Sequence, residues 1–289
     1  MHSDSRDCGG HNDKRMPLRP EFVMKIGLST YAFTWRKSSS MPVPMTLADM
    51  LQETATLGGT VFQICDHPAI EDFSARDLDT LRRQAEALGI TLELGTRGLA
   101  PAKLARYLDI AEALDVALLR SMFNDADSQP TAGQAEQQLR EILPRLQHQG
   151  VTLALETYEQ VAIDTLMATV EAIDDAHIGV CLDPGNCVAA LEMPERVIAR
   201  TVERVANLHI KDFCFTRADG WVGFRLLGCP LGDGLLPLGT MLERVAPAAR
   251  GINLIVEHWL DWQTDAQRTA AVEAEWTRHS MHILRSIES

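Results

Sequence analysis

From Lys25 onward the chain alternates short apolar runs with longer stretches of helical period. The runs "KIGLST", "TVFQIC", "TLELGT", "VALLRSM", "VTLALET", "IGVCLD", "ANLHIKD" and "INLIVEH" read as strands. Between them lie amphipathic segments such as "SARDLDTLRRQAEALG", with Ser74 placed as N-cap and Gly89 as stop, and "TAGQAEQQLREILPRLQHQG", which ends at Gly150. Strand and helix alternating at this spacing predict parallel strands joined by right-handed crossovers. Eight such units predict an α/β fold, a single (β/α)8 barrel, in preference to a doubly wound sheet. The barrel is expected over residues 24–289, with no linker inside it. The final amphipathic stretch "DAQRTAAVEAEWTRHSMHILRSI" is expected to close its outside, and residues 1–23, polar and without apolar period, are read as an arm preceding it.

The strand period of two assigns faces. In "VTLALET" Val151, Leu153 and Leu155 oppose Thr152, Ala154 and Glu156; in "IGVCLD" Ile178, Val180 and Leu182 oppose Gly179, Cys181 and Asp183. Leu208 and Ile210 oppose Asn207, His209 and Lys211, while Ile252, Leu254 and Val256 oppose Asn253, Ile255 and Glu257. The apolar face receives helices, so the other face lines the barrel. Four successive strands then aim Glu156, Asp183, His209 and Glu257 at the C-terminal mouth, where barrel active sites lie. Three converging carboxylates repel one another and lose hydration unless a cation compensates them. Oxygen-rich donors with one imidazole and no thiolate suit a divalent ion such as Mn²⁺, Mg²⁺ or Co²⁺ better than a closed structural zinc site.

Composition narrows the reading. A net charge of −13 and a pI near 5.1 argue against nucleic acid as a partner. The six cysteines include no Cys-x-x-Cys pair and read as reduced thiols of an intracellular protein. There is no apolar stretch of membrane-spanning length, so a cytoplasmic protein is expected. In so acidic a chain, inward cations at strand ends stand out. Arg97, Lys211 and Arg120 suggest an anionic substrate, a carboxylate or a phosphate; the alternative is that Arg97 or Lys211 neutralises Glu93 or Asp212. Arg225 lies in the long loop "CFTRADGWVGFRLLGCPLGDG", which reads as a lid over the mouth. Trp35, with Tyr31 and Phe33 after the first strand and Trp259 and Trp262 after the last, reads as a wall against a sugar, as packing, or as a contact in a homo-oligomer. His67 and His258 are candidates for substrate contact or for structural roles.

The blocks "LALETYE", "VCLDPGN", "NLHIKDF" and "LIVEHW", supported by "KIGLSTYAF" and "PLGDGLLPL", resemble the xylose isomerase-like TIM-barrel superfamily, and within it sugar epimerases similar to D-tagatose 3-epimerase. The resemblance runs from about Met24 to the end. It implies one divalent ion, with Mn²⁺ the leading choice, held by Glu156, Asp183, His209 and Glu257, and proton exchange at carbon by Glu156 and Glu257. The chain departs from the epimerase pattern at Asn186, Ala162 and Phe215, where that pattern has a His, a Glu and an Arg. Asn186 therefore joins the substrate-binding candidates, and epimerisation of a neutral ketose loses support.

The leading expectation is a metal-dependent isomerase or epimerase running enediolate chemistry on a small sugar or sugar acid. The alternative is a decarboxylase of a 3-oxo sugar acid, an activity that the superfamily includes. A DNA-repair endonuclease of the same superfamily would need further ligands and a basic face, which are not evident. A non-catalytic sugar-binding protein gives no reason to flank an ion with both Glu156 and Glu257.

Overall fold

The computed structural model describes residues 23–288, so nearly all of the expected N-terminal arm, together with Cys8, lies outside the described residues. The strands are β1 (Ile26–Ser29), β2 (Val61–Cys65), β3 (Thr91–Gly95), β4 (Leu118–Ser121), β5 (Thr152–Glu156), β6 (Ile178–Leu182), β7 (Val205–Ile210), β8 (Phe213–Arg217), β9 (Phe224–Gly228) and β10 (Asn253–Val256). All but β8 and β9 are parallel and close a barrel in the order β1-β10-β7-β6-β5-β4-β3-β2. These are the expected runs, and the fold is a single (β/α)8 barrel.

The helices that follow the strands are α1 (Leu47–Thr56), α2 (Ala75–Ala87), α3 (Pro101–Leu114), α4 (Ala132–Gln149), α5 (Ile163–Ile173), the short α6 (Pro184–Cys187), α7 (Pro194–Thr201), α8 (Leu238–Val245), the short α9 (Pro247–Arg250) and α10 (Ala266–Glu288). Local chemistry sets their ends. Ser74 caps α2 in a reciprocal box with Asp77, Thr131 does the same for α4 with Gln134, and Gly150 ends α4 at φ 67°. On α4 the stripe Ala135, Leu139, Ile142 and Leu146 is buried against the outer barrel face, to which β5 contributes Leu153 and Leu155. Each such aliphatic side chain removed from water contributes roughly 1.5–3 kcal/mol. Gly27 in β1 has no alternative: a Cβ there would lie 1.7 Å from Val61 O on β2.

The loop expected as a lid is largely an antiparallel hairpin, β8 against β9. Its return segment is tied down by Asp212, whose carboxylate accepts the backbone N–H groups of Phe213, Gly232, Gly234 and Leu236 at 2.8–3.1 Å. No helix among the described residues is long and apolar enough to cross a membrane. The described cysteines are free thiols.

Candidate active site

The inward phase of each strand delivers one or two polar groups to the mouth. Glu156 ends β5, Asp183 follows β6, His209 lies in β7 and Glu257 follows β10, all of them buried. His209 Nδ1 is 3.5 Å from Glu257 Oε2, 3.7 Å from Glu156 Oε1 and 3.9 Å from Asp183 Oδ2. It has no hydrogen-bond partner; Lys211 Nζ forms an ion pair with Asp183 Oδ2 at 2.7 Å. Adjacent donors around a small octahedral dication are about 3 Å apart. Glu156, Asp183 and His209 offer ligand atoms within 4.8 Å of one another, and Glu257 does so with His209 and Cys65; donors of this kind suit a divalent ion, and the orphaned imidazole nitrogen faces them.

A layer of amides and one acid beneath the site fixes which imidazole nitrogen is free. Gln63 Nε2 donates to Glu93 Oε2 (3.0 Å) and Asn207 Oδ1 (3.1 Å), and Asn207 and Asn253 also donate to Glu93. Gln63 Oε1 is thereby left as the acceptor for His209 Nε2, 2.8 Å away. The Nε2–H tautomer follows, with the Nδ1 lone pair facing the acids. The Cys65 thiol donates to the same Gln63 oxygen at 2.9 Å, within reach of His209 and Glu257. Burial pushes this thiol well above its usual pKa, so it is a donor and not a thiolate ligand.

The cations have acid partners, though not the expected ones. Arg120, inward on β4 and buried, is ion-paired to Glu156 and donates to Thr96 O at 3.0 Å. Lys211 lies 3.3 Å from Glu257 Oε2 and 4.4 Å from the centroid of the Trp259 ring. Arg97, half-exposed, binds Asp66 at 2.9 Å and the Tyr31 hydroxyl at 2.7 Å. Glu93 belongs to the layer below the site and Asp212 to the hairpin return. Asp66 also takes a 2.6 Å hydrogen bond from Tyr31, and it is held in the left-handed region at φ 45°, a strain that clusters at functional sites.

Electrostatics separates the acids. Burial raises the pKa of Glu156, but Arg120, then His209 and Lys211, outweigh it and hold this carboxyl well below its ordinary value. Burial, reinforced by Glu156 and Glu257, leaves Asp183 raised despite Lys211. Burial works against charge on Lys211, but Asp183 and Glu257 outweigh it and keep the ammonium firmly protonated.

The remaining candidates divide. Asn186 reaches the site, donating to Glu156 Oε1 at 2.7 Å. Ser29, which the sequence reading passed over, donates to Glu257 Oε1 at 2.9 Å. Trp35 bridges the β1 and β10 loops: its indole N–H donates to Leu260 O (2.6 Å) and its ring meets Trp262 edge-on at 5.1 Å. His258 is buried against α10, beside Trp276 and Thr277, and does not face the acids. Arg225, on the exposed hairpin, pairs with Asp261 at 2.5 Å. His67 is half-buried on the β2 rim.

Residues 51–286 match the family model described as xylose isomerase-like TIM barrel. The chain belongs to this family. A relative, 3-oxo-isoapionate decarboxylase from Pectobacterium atrosepticum, is 54% identical over 261 residues, covering 90% of this chain and 95% of that protein. Among solved family folds, D-psicose 3-epimerase with D-tagatose from Clostridium cellulolyticum H10 superposes with a TM-score of 0.70 at 15% identity, over 91% of this chain and 99% of that one. A xylose isomerase-like barrel from Mycobacterium smegmatis, in complex with magnesium, gives 0.65 at 15% identity over 92% and 98%. At such identities the solved structures establish the fold. The decarboxylase is the relative that bears on chemistry, and it favours the alternative reading over the epimerase placed first from the sequence.

Proposed function

We propose that this chain is a divalent-metal-dependent decarboxylase of a 3-oxo sugar acid, 3-oxo-isoapionate or a near analogue, acting in the cytoplasm on a small-molecule substrate. The observation that carries this reading is the 54% identity to 3-oxo-isoapionate decarboxylase along nearly the whole of both chains. Glu156, Asp183, His209 and Glu257 are the proposed ligands, with Mn²⁺ first and Mg²⁺ or Co²⁺ next. When bound, the ion supplies Lewis acidity at the ketone oxygen of the substrate.

The geometry supports the same choice. Epimerisation needs a carboxylate basic enough to take a proton from carbon. Here Glu156 is held by Arg120 and Asn186 and its basicity is depressed, while Glu257 is held by Ser29 and Lys211. Decarboxylation needs no base in its first step. The C–C bond to the carboxylate breaks, its electron pair passes to the ketone oxygen as an enolate, CO₂ leaves, and a proton then returns to carbon. Lys211 and Arg120 keep their charge and stay paired with the acids, so they hold Glu156, Asp183 and Glu257 in place for the ion that would supply positive charge to that enolate.

The test is to supply the purified protein with Mn²⁺ in D₂O and offer 3-oxo-isoapionate and D-psicose in parallel. CO₂ release from the acid, abolished by a chelator and restored by Mn²⁺, is the expected result. C–H exchange in the ketose with no CO₂ from the acid would return the protein to the epimerases.

A further inference from the structure

Four cations stand around the mouth, and three already have acid partners: Arg120 with Glu156, Lys211 with Asp183 and Glu257, Arg97 with Asp66. The fourth is Lys37. It follows the 3-10 turn Thr30–Phe33 that leaves β1 at the mouth, its backbone N–H donating to Phe33 O at 2.9 Å. Its ammonium makes no hydrogen bond or ion pair among the described residues; its contact is with the Tyr31 ring, whose centroid is 6.0 Å away.

The ammonium stands on the rim of the site. Tyr31, beneath it, carries the hydroxyl shared by Asp66 and Arg97. The charges that act on Lys37 are those of Asp66, Glu273 and the inward Cys65, and Lys37 in turn acts on His67. The side chain is half-buried, and that loss of water is the main reason its pKa is lowered. A cation so placed costs free energy until an anion meets it.

Among the described residues, the two acids that act on it are already engaged. Asp66 already takes Tyr31, Arg97 and Arg120, and Glu273 already takes the backbone N–H groups of Trp35 and Arg36 and the Arg36 side chain.

We propose that Lys37 is a specificity-determining residue that binds the substrate carboxylate, and this rests on the decarboxylase reading above. A lysine suits a carboxylate that must leave. Its ammonium is a point charge with rotatable donors and does not lock the carboxylate plane as a bidentate arginine does, so the C–CO₂ bond stays free to turn perpendicular to the ketone. The contact holds the carboxylate alike in the bound substrate and in a transition state that still carries most of its charge, so its loss shows in KM and not in kcat.

The experiment compares the metal-loaded wild type with Lys37→Met and Lys37→Arg. In turnover of 3-oxo-isoapionate, Lys37→Met is expected to raise KM about 10- to 100-fold, the scale of one charge-assisted hydrogen bond, with kcat within about threefold. In calorimetry, the 3-hydroxy acid made by reducing that substrate, which keeps the carboxylate and cannot lose CO₂, should weaken by the same factor. A neutral ketose should bind both proteins alike, and Lys37→Arg should recover most of the loss. A fall in kcat at unchanged KM, or equal weakening of acid and neutral ligands, overturns the proposal. If the wild type releases CO₂ and Lys37→Met matches it in KM and acid binding, the Lys37 proposal falls and the decarboxylase stands. If the wild type releases none but acid binding still depends on Lys37, only the decarboxylase falls.

Discussion

His209 can offer an ion one nitrogen, and Gln63 decides which. Replacing Gln63 with Met removes the acceptor that fixes the Nε2–H tautomer, and affinity for Mn²⁺ should fall about 10- to 100-fold by calorimetry while the circular dichroism spectrum is retained. Unchanged affinity would mean that the imidazole is oriented by packing alone. Arg120 presents the opposite case, a charge whose loss strands another: Arg120→Met leaves Glu156 buried without its cation and should cost about 3–5 kcal/mol in denaturant unfolding. A loss under about 1 kcal/mol would show that Glu156 protonates or that water replaces the guanidinium. The acids and the histidine were readable from sequence because strand phase is rigid, so one apolar register fixes every inward side chain. Gln63 obeys the same phase, and its signal was a lone amide inside the apolar run "VFQIC". Lys37 had no such signal, for it lies in an irregular turn where no period assigns a face.

The hairpin β8–β9 shows where reading by element stops. Its strands, "FCFTR" and "FRLLG", are short and carry arginines, and Phe215, Val222 and Phe224 are exposed, so neither strand shows the clean alternation of a half-buried sheet. What holds the element in place is Asp212, one residue past the inward Lys211 and turned to the return loop. Asp212→Ala should leave the N–H groups of Gly232, Gly234 and Leu236 without their acceptor and lower unfolding stability by about 2–4 kcal/mol, with faster proteolysis between residues 213 and 236. A variant as stable and protease-resistant as wild type would refute that anchoring role. The "GDG" of this loop has a steric reason as well, because a Cβ on Gly234 would lie 2.2 Å from Asp212 Oδ1.

For the whole molecule, the barrel was readable because its strands repeat at near-even spacing with capped helices between them, while the pH response depends on burial, which no local pattern reports. Burial first, then Arg36 and Lys211, lowers the pKa of His258 to about 3. An unfolded histidine titrates near 6.5. Between those values the unfolded chain takes up a proton that the native chain refuses, so stability falls as pH falls, by about 1.4 kcal/mol per pH unit for this group. His258→Gln should flatten the stability curve of the metal-free protein between pH 6.5 and 4.5 by close to one proton; parallel curves would show that His258 charges in place. The polar layer under the site bears on how the molecule is born. The side chains that would grip an ion come from β5, β6, β7 and β10, but the amide that aims His209 comes from β2, held there by Glu93 of β3. Neither half of the chain owns a competent site. On the proposed ligand set the grip would complete only when the last strand closes against the first, so ion capture would report barrel closure, and a chain stalled before Asn253 would lack Glu257.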